Sequence, residues 1–241
     1  MKIFLLVSTL TAASAEEMQA PWTSLFDGTD LSAWSIEASP ADEDKDFITL
    51  DNGTIWAHAT APDMIPKNHV WLLTRKEYSD FILTLKFQSV RGDTGNSGIQ
   101  FRSRLDETGT MQGPQLDLHP AGPWRTGMLY DMTTGVNRFL APDLPIKDVK
   151  EHLAAPGFIF HFSDDKPAWN EMEITAIGPH IKCVLNGVTV IDFHDEKDVL
   201  KDAFHRKYDV GTTGYIGLQI HGGTPSDLRF KDIRIKDLSA P

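Results

Sequence analysis

The stretch EMEITAIGPHIKCVLNGVTVIDF, residues 171–193, sets the fold class. Met172, Ile174 and Ala176 alternate with Glu171, Glu173 and Thr175, which is the two-residue period of a half-buried strand. Gly178-Pro179 then turns the chain, and Ile181 to Leu185 runs into Asn186-Gly187, the strongest short-range signal for a two-residue hairpin, before Val188 to Phe193 returns. Working outward, Phe81 to Gln88 alternates in the same way. Asp51-Asn52-Gly53 leads into Thr54-Ile55-Trp56, and Tyr215 to Ile220 and Leu228 to Ile235 read as two further strands. About nine or ten strands are expected in all. Only Ile146 to Ala154 and Val199 to Phe204 read as helical. This pattern predicts an all-β antiparallel sandwich or jelly roll. With no repeat and no linker long enough to divide the chain, residues 16–241 are expected to form one domain.

The first fifteen residues have a different character. Lys2, the apolar run Ile3 to Leu10 and the small residues Ala13-Ser14-Ala15 form the three-part pattern of a cleaved export signal. The run is too short to span a bilayer. Export to the periplasm or beyond is therefore expected, with cleavage after Ala15. An oxidising compartment permits disulfides, but Cys183 is the only cysteine and has no partner within the chain. The net charge of −11 argues against nucleic acid or an anionic membrane as partner. A neutral small molecule or a polysaccharide fits better.

Three runs place polar groups where a merely solvated strand would carry Thr, Ser or Lys. Ile99 and Phe101 alternate with Gly98, Gln100 and Arg102. Leu116 and Leu118 alternate with Gln115, Asp117 and His119, and Ile216, Leu218 and Ile220 with Gly217, Gln219 and His221. If the three strands are neighbours, the second set lines one groove. Gly98, Gly217, Gly222 and Gly223 weaken strands and often mark places where something approaches the backbone closely.

Several of these segments carry a family resemblance. Ser24-Leu25-Phe26-Asp27-Gly28 with Trp34, Asn96-Ser97-Gly98-Ile99-Gln100-Phe101-Arg102, Trp169-Asn170, Leu185-Asn186-Gly187, Gly217-Leu218-Gln219-Ile220-His221-Gly222 and Phe230-Lys231-Asp232-Ile233 follow in order from Leu25 to Leu238. Together they resemble the 3-keto-disaccharide hydrolase domain family, once catalogued as a domain of unknown function. The resemblance implies a concanavalin-like jelly roll with a concave carbohydrate-binding face, and an exported enzyme that cleaves glycosides oxidised at C3. Residues 131–167 have no counterpart in the family pattern, and substrate selection is expected there.

Cleavage of a 3-keto-glycoside needs a base for the acidified C2 hydrogen, a group that stabilises the C3 enolate, and an acid for the leaving oxygen. His221 or His119 is the expected base, Arg102 the enolate stabiliser, and Asp117 an orienter of one histidine. Alternatively Asp117, His119 and His221 together hold a divalent cation that polarises the ketone. Nothing in the sequence suggests a nucleotide cofactor. Trp124 and Tyr130 are candidates to stack on sugar faces, and Asn96, Gln115, Asn170 and Gln219 to bond hydroxyls. Trp169, just before an alternating strand, reads as core. Two alternatives use the same fold. A lectin-like binding module needs the same groups without proton transfer. A conventional retaining glycoside hydrolase needs two carboxylates at fixed separation, and the sequence has no Glu-x-Asp-x-x-Glu strand to supply them.

Overall fold

A computed structural model of the protein describes residues 20–239, and the export signal expected at residues 1–15 lies outside them. Among the described residues the strands, numbered along the chain, form two antiparallel sheets. Sheet one runs β15 (Val188–His194), β14 (His180–Leu185), β13 (Asn170–Ile177), β6 (Phe81–Gln88), β17 (Asp227–Asp237), β4 (Thr54–His58) and β3 (Ile48–Asp51), with β1 (Trp22–Phe26) also paired to β17. Sheet two runs β12 (Asp143–Leu144), β11 (Arg138–Ala141), β10 (Leu129–Asp131), β9 (Pro114–Leu118), β7 (Ser97–Leu105), β16 (Tyr215–Ile220), β5 (Val70–Thr74) and β2 (Trp34–Glu37), with β8 (Met111–Gln112) folded onto β7. This is the expected jelly-roll sandwich, with more and shorter strands than the periodicity resolved.

The alternation holds the layers together. In β6 every second residue, Phe81, Leu83, Leu85 and Phe87, is buried, and in β13 Met172, Ile174 and Ala176 are. They meet Ile99, Phe101, Leu116, Leu118, Leu218 and Ile220 of sheet two in one core. The Phe81 and Phe101 rings meet edge on at 6.2 Å between centroids. Each such apolar side chain contributes about 1.5–3 kcal/mol by leaving water. Cys183 sits in this core as a small apolar residue, its thiol pKa pushed far up by burial.

Two strands break their own period, and the breaks decide which way charged groups point. In β17 both Phe230 and Ile233 are buried although three residues apart, because Asp232 adopts a left-handed conformation (φ 52°) at a register shift. In β7 the same device operates at Arg102 (φ 48°): Gly217 pairs with Gln100 but Tyr215 with Ser103. Arg102 is thereby turned out of the polar series. Only 2% exposed, it reaches toward sheet one, where Nε donates to Ser79 O at 2.6 Å, Nη1 to Gly178 O at 2.9 Å and Nη2 to Asp80 Oδ1 at 3.0 Å. Asp80 Oδ1 also accepts from the Gly178 N–H at 2.9 Å. The expectation that Arg102 stabilises an enolate is therefore corrected: it is a clasp between the β5–β6 loop, the β13–β14 turn and sheet two.

Further expectations change for local reasons. Residues 146–154 form two separate 3-10 turns, Ile146–Asp148 and Glu151–Leu153, divided by extended Lys150. Val199–Lys201 is a 3-10 turn, and Asp202 then caps α1 (Ala203–Tyr208) by accepting from the Phe204 and His205 N–H groups. Trp169 is half-buried rather than core, with Lys231 Nζ 4.2 Å from its ring centre. Asn170 belongs to sheet one and spends its amide on backbone: Oδ1 accepts from His161 N–H and Nδ2 donates to His161 O. It braces a loop and does not reach the polar groove.

Replacing buried Arg102 by Met removes three hydrogen bonds, one of them to a carboxylate, and is expected to cost about 2–4 kcal/mol of unfolding free energy. Denaturant melts of the variant check this. A variant of wild-type stability that has lost activity would return Arg102 to the site.

Candidate functional site

The outward face of sheet two is assembled by register. Leu73, Gly217, Gln100, Gln115 and Tyr130 lie side by side across β5, β16, β7, β9 and β10. The next row, two residues along each strand, is Trp71, Gln219, Gly98 and Asp117. One further step brings His69, His221 and His119 to the ends of β5, β16 and β9. The groove expected from three separate runs thus exists, without Arg102. Its floor depends on two glycines, because a Cβ on Gly98 would lie 2.1 Å from Gln115 Cδ, and one on Gly217 would lie 2.7 Å from Leu73 Cδ2. Neighbouring side chains lie flat across these positions.

One end of the face is roofed. Trp71, Leu73 and Met111, with Leu105 and Met132, form a small apolar cluster, and beneath it Gln100 and Gln115 are buried against each other. Gln115 therefore shapes the floor and is covered from above. Beside His69 opens a cleft of about 600 Å³ whose lining includes Glu37, Asn68, His69, Trp71, Glu107 and Gly222, with His119 and His221 outside that lining. Buried Trp71 Nε1 and Gln219 Oε1 have no hydrogen-bond partner within the protein, and neither does Asn96 Oδ1. An unpaired buried donor or acceptor costs about 1–3 kcal/mol, so these atoms ask for a polar ligand or water. A larger groove of about 770 Å³ lies on the outer face of sheet one; of its carboxylates Asp27, Glu171, Glu173 and Asp232, two, Glu171 and Asp232, are paired with Lys86. We place the candidate site at the histidine end of sheet two.

Backbone contacts assign the neutral form of each histidine. His119 Nδ1 accepts from the Gly122 N–H at 2.9 Å, so its proton is on Nε2. His69 Nδ1 accepts from the Gly222 N–H at 2.9 Å and likewise keeps Nε2–H. His221 is the reverse: Nδ1–H donates to Gly222 O at 2.7 Å, leaving a lone pair on Nε2. Gly222 can serve both rings because it has no side chain; a Cβ there would come 2.6 Å from the Asn68 carbonyl carbon. The His69 and His221 ring centres are 4.4 Å apart. Burial lowers all three pKa values, to about 4 for His69, helped by His221, and to about 4 for His119, helped by Arg125. One basic nitrogen thus stands among neutral N–H donors.

Asp117 is 2% exposed and held by Arg125, whose Nε and Nη2 lie 2.9 and 2.7 Å from Oδ2. Burial nevertheless pushes its carboxyl up to about 6, against the pull of Arg125. Trp124 and Tyr130 are half-buried beside a satellite cluster of Met128, Phe139 and Val149, with the Tyr130 ring 5.1 Å from that of Phe139. Both flank the site, with edges left to solvent. His69, Trp71 and Arg125 were missed in the sequence. Val70 to Leu73 is apolar at every position, so the sequence shows no alternation there that would point to His69 or Trp71 on an outward polar face.

The donor set at Asp117, His119 and His221 does not fit a cation. Asp117 is committed to a guanidinium, and His119 accepts at Nδ1 and so carries its proton on Nε2, which leaves one ligating lone pair, on His221 Nε2. Their ligand atoms do not converge either. Among the described residues, the group whose ligand atoms all lie within 4.8 Å of one another is His180, Asp192 and His194, on sheet one.

Comparison with known proteins agrees with this architecture. A profile of the family described as 3-keto-alpha-glucoside-1,2-lyase-like domain matches residues 21–236. No curated protein sequence matches the chain. Among solved structures, a candidate glycosyl hydrolase from Parabacteroides distasonis ATCC 8503 superposes with a TM-score of 0.58 at 18% identity, over 97% of this chain and 99% of that one. A second from the same organism gives 0.51 at 22% identity, over 90% and 100%. The carbohydrate binding module CBM66 from Bacillus subtilis gives 0.50 at 13% identity, over 85% and 96%. At such identities the likeness is one of fold.

The tautomers and pKa values can be measured. At pH 7, long-range ¹H–¹⁵N spectra are expected to show His69 and His119 protonated on Nε2 and His221 on Nδ1. His69 and His119 should titrate near pH 4. Their folded values lie below the ordinary 6.5, so the unfolded chain binds more protons between the two. Stability present in full above pH 6.5 is then lost as the pH falls toward 4. Asp117 acts oppositely, losing stability as the pH rises from 3.8 to about 6, but it is one group against two. Chemical-denaturation midpoints should therefore drop between pH 6.5 and 4.5, and drop less in His119→Gln. Midpoints near 6.5 for both rings would show the site to be wet and uncommitted.

Proposed function

The chain belongs to the 3-keto-alpha-glucoside-1,2-lyase-like domain family, a carbohydrate-active family, and on that premise we propose that it is an exported enzyme cleaving 3-keto-glycosides at the histidine cleft. One observation carries the reading: His221 Nε2 has a free lone pair and stands beside a neutral imidazole bearing Nε2–H. An elimination α to a ketone asks for that combination. His221 Nε2 takes the C2 proton, and charge moves onto the C3 oxygen. Nε2–H groups of His69 and His119 donate to that oxygen. Neutral imidazole is well suited to hold an enolate, because it need not surrender its proton. The C1–oxygen bond then breaks, and the imidazolium of His221 returns a proton to the departing oxygen. Water adds across C1–C2 to complete a net hydrolysis.

The remaining groups bind and exclude water. Trp71 Nε1, Gln219 Oε1 and Asn96 Oδ1, unpaired within the protein, supply one donor and two acceptors for sugar hydroxyls. Asp117 with Arg125 fixes the β9 wall that carries His119, and Trp124 and Tyr130 edge the opening. The segment 131–167 adds the Phe139 and Val149 cluster beneath that edge, and we assign substrate selection to it. Both N–H donors and the base sit in partly dry surroundings, where hydrogen bonds to a developing charge are strengthened.

The test is a panel of 3-keto-glycosides and their unoxidised parents, run in heavy water and followed by mass spectrometry and NMR. Turnover of the keto compounds is expected, with solvent deuterium at C2 of the product. His221→Gln should lower the rate by about 100- to 10,000-fold, the usual effect of losing a general base, while largely preserving binding. His69→Gln, which removes one donor, should cost less. Binding of the panel without turnover of any member would favour a lectin-like module. Product without C2 label, after control for exchange of the free ketone, would mean direct displacement and a different role for His221.

A further inference from the structure

A second cluster of ligating side chains lies at the edge of sheet one, away from the histidine cleft. β14 and β15 form its outermost hairpin, and at the open end His180 and His194 are direct cross-strand partners. Their rings stack with centroids 4.1 Å apart and planes within 6° of parallel. Asp192, two residues before His194, falls on the same face. Its Oδ1 accepts from His180 Nε2 at 2.6 Å and lies 3.7 Å from His194 Nε2. Three donor atoms of two kinds therefore meet at one point on a paired strand, a backbone support that holds them without a loop.

A surface hydrogen bond would account for His180 and Asp192 alone. His194 stacks on His180 and also turns its Nε2 toward Asp192, so one carboxylate oxygen faces two imidazole nitrogens. The side chains are 31%, 53% and 59% exposed for His180, Asp192 and His194, so core packing does not force the arrangement. Cation size fits. With zinc–nitrogen and zinc–oxygen distances near 2.0–2.2 Å, tetrahedral ligand atoms stand about 3.3–3.5 Å apart. The 3.7 Å contact is nearly there, and the 2.6 Å contact must open by less than ~1 Å once His180 Nε2 gives up its proton.

We propose that His180, Asp192 and His194 bind one d-block divalent cation of the zinc class through two imidazole nitrogens and one carboxylate oxygen. The fourth position faces solvent. Two imidazoles with one carboxylate select such a cation over calcium or magnesium, which prefer all-oxygen shells. The ion closes the open end of the edge hairpin, beside the Gly178 turn that Arg102 also holds. It has no part in the sugar chemistry.

The test is calorimetric titration of the tag-free full chain with zinc chloride, with calcium chloride as a parallel arm. One zinc per chain with a raised thermal midpoint is expected, and no heat from calcium. His194→Ala and Asp192→Asn should each weaken zinc by about tenfold or more, since losing even an outer-shell partner costs a metal site 10- to 100-fold. Both replace exposed side chains, and their zinc-free denaturation midpoints and turnover should match wild type. Zinc affinity unchanged in His194→Ala would place the ion elsewhere and overturn the assignment. So would calcium binding in zinc's place, or no heat up to about 0.1 mM zinc, a Kd weaker than three protein ligands give.

Discussion

Alternation of side chains along a strand is the constraint from which the site follows. Once Ile99, Leu116, Leu118, Leu218 and Ile220 are committed to the core, Gly98, Gln115, Asp117, Gln219 and the terminal His119 and His221 are committed to the opposite face. The core fixes the register, since a slip by one residue would exchange the two sets. The chemistry therefore inherits its geometry from hydrophobic burial. Glycine at Gly98 and Gly217 does the rest, by letting Gln115 and Leu73 lie flat and leave room above the sheet.

Burial also sets the electrostatics of that face. Histidine in water is close to half-charged near neutrality, which makes it neither a dependable base nor a dependable neutral donor. Here partial burial removes the charged form of His69, His119 and His221, and backbone groups then choose the tautomer. Gly222 gives a donor to one ring and an acceptor to another, so two neighbouring imidazoles are held in opposite protonation patterns. The same dryness raises Asp117 and is answered by Arg125, which keeps a charge pair under the β9 wall. Desolvation of this kind costs stability, and the size of the two-sheet core is what permits it.

Two left-handed residues show how little backbone is needed to redirect a side chain. Asp232 restores the apolar phase of β17 after an irregular step, and Arg102 leaves the polar phase of β7 to join the two sheets. Only a non-glycine residue with positive φ marks either place, and such residues are uncommon in strands. In both, hydrogen bonds or burial on the far side hold the conformation. At Arg102 all three donor groups that engage the protein find partners on sheet one or its loops.

The sequence by itself determined the class of fold, the core and most of the polar face, because the two-residue period of β6, β13 and β16 is a local property that no partner alters. It also pointed to His119 and His221, by continuing that period one step past the apolar residues. Tertiary structure decided what period cannot express. A bulge took Arg102 out of the groove, and loop bracing took Asn170 away from it. Apolar Trp71 and Leu73 turned out to face outward as part of the small roof, and the same face of the strand carries His69. Which ring keeps a lone pair on Nε2 was decided by hydrogen bonds with the backbone of Gly122 and Gly222, two residues without side chains, whose contacts depend on how close strands and loops approach and not on what the residues are.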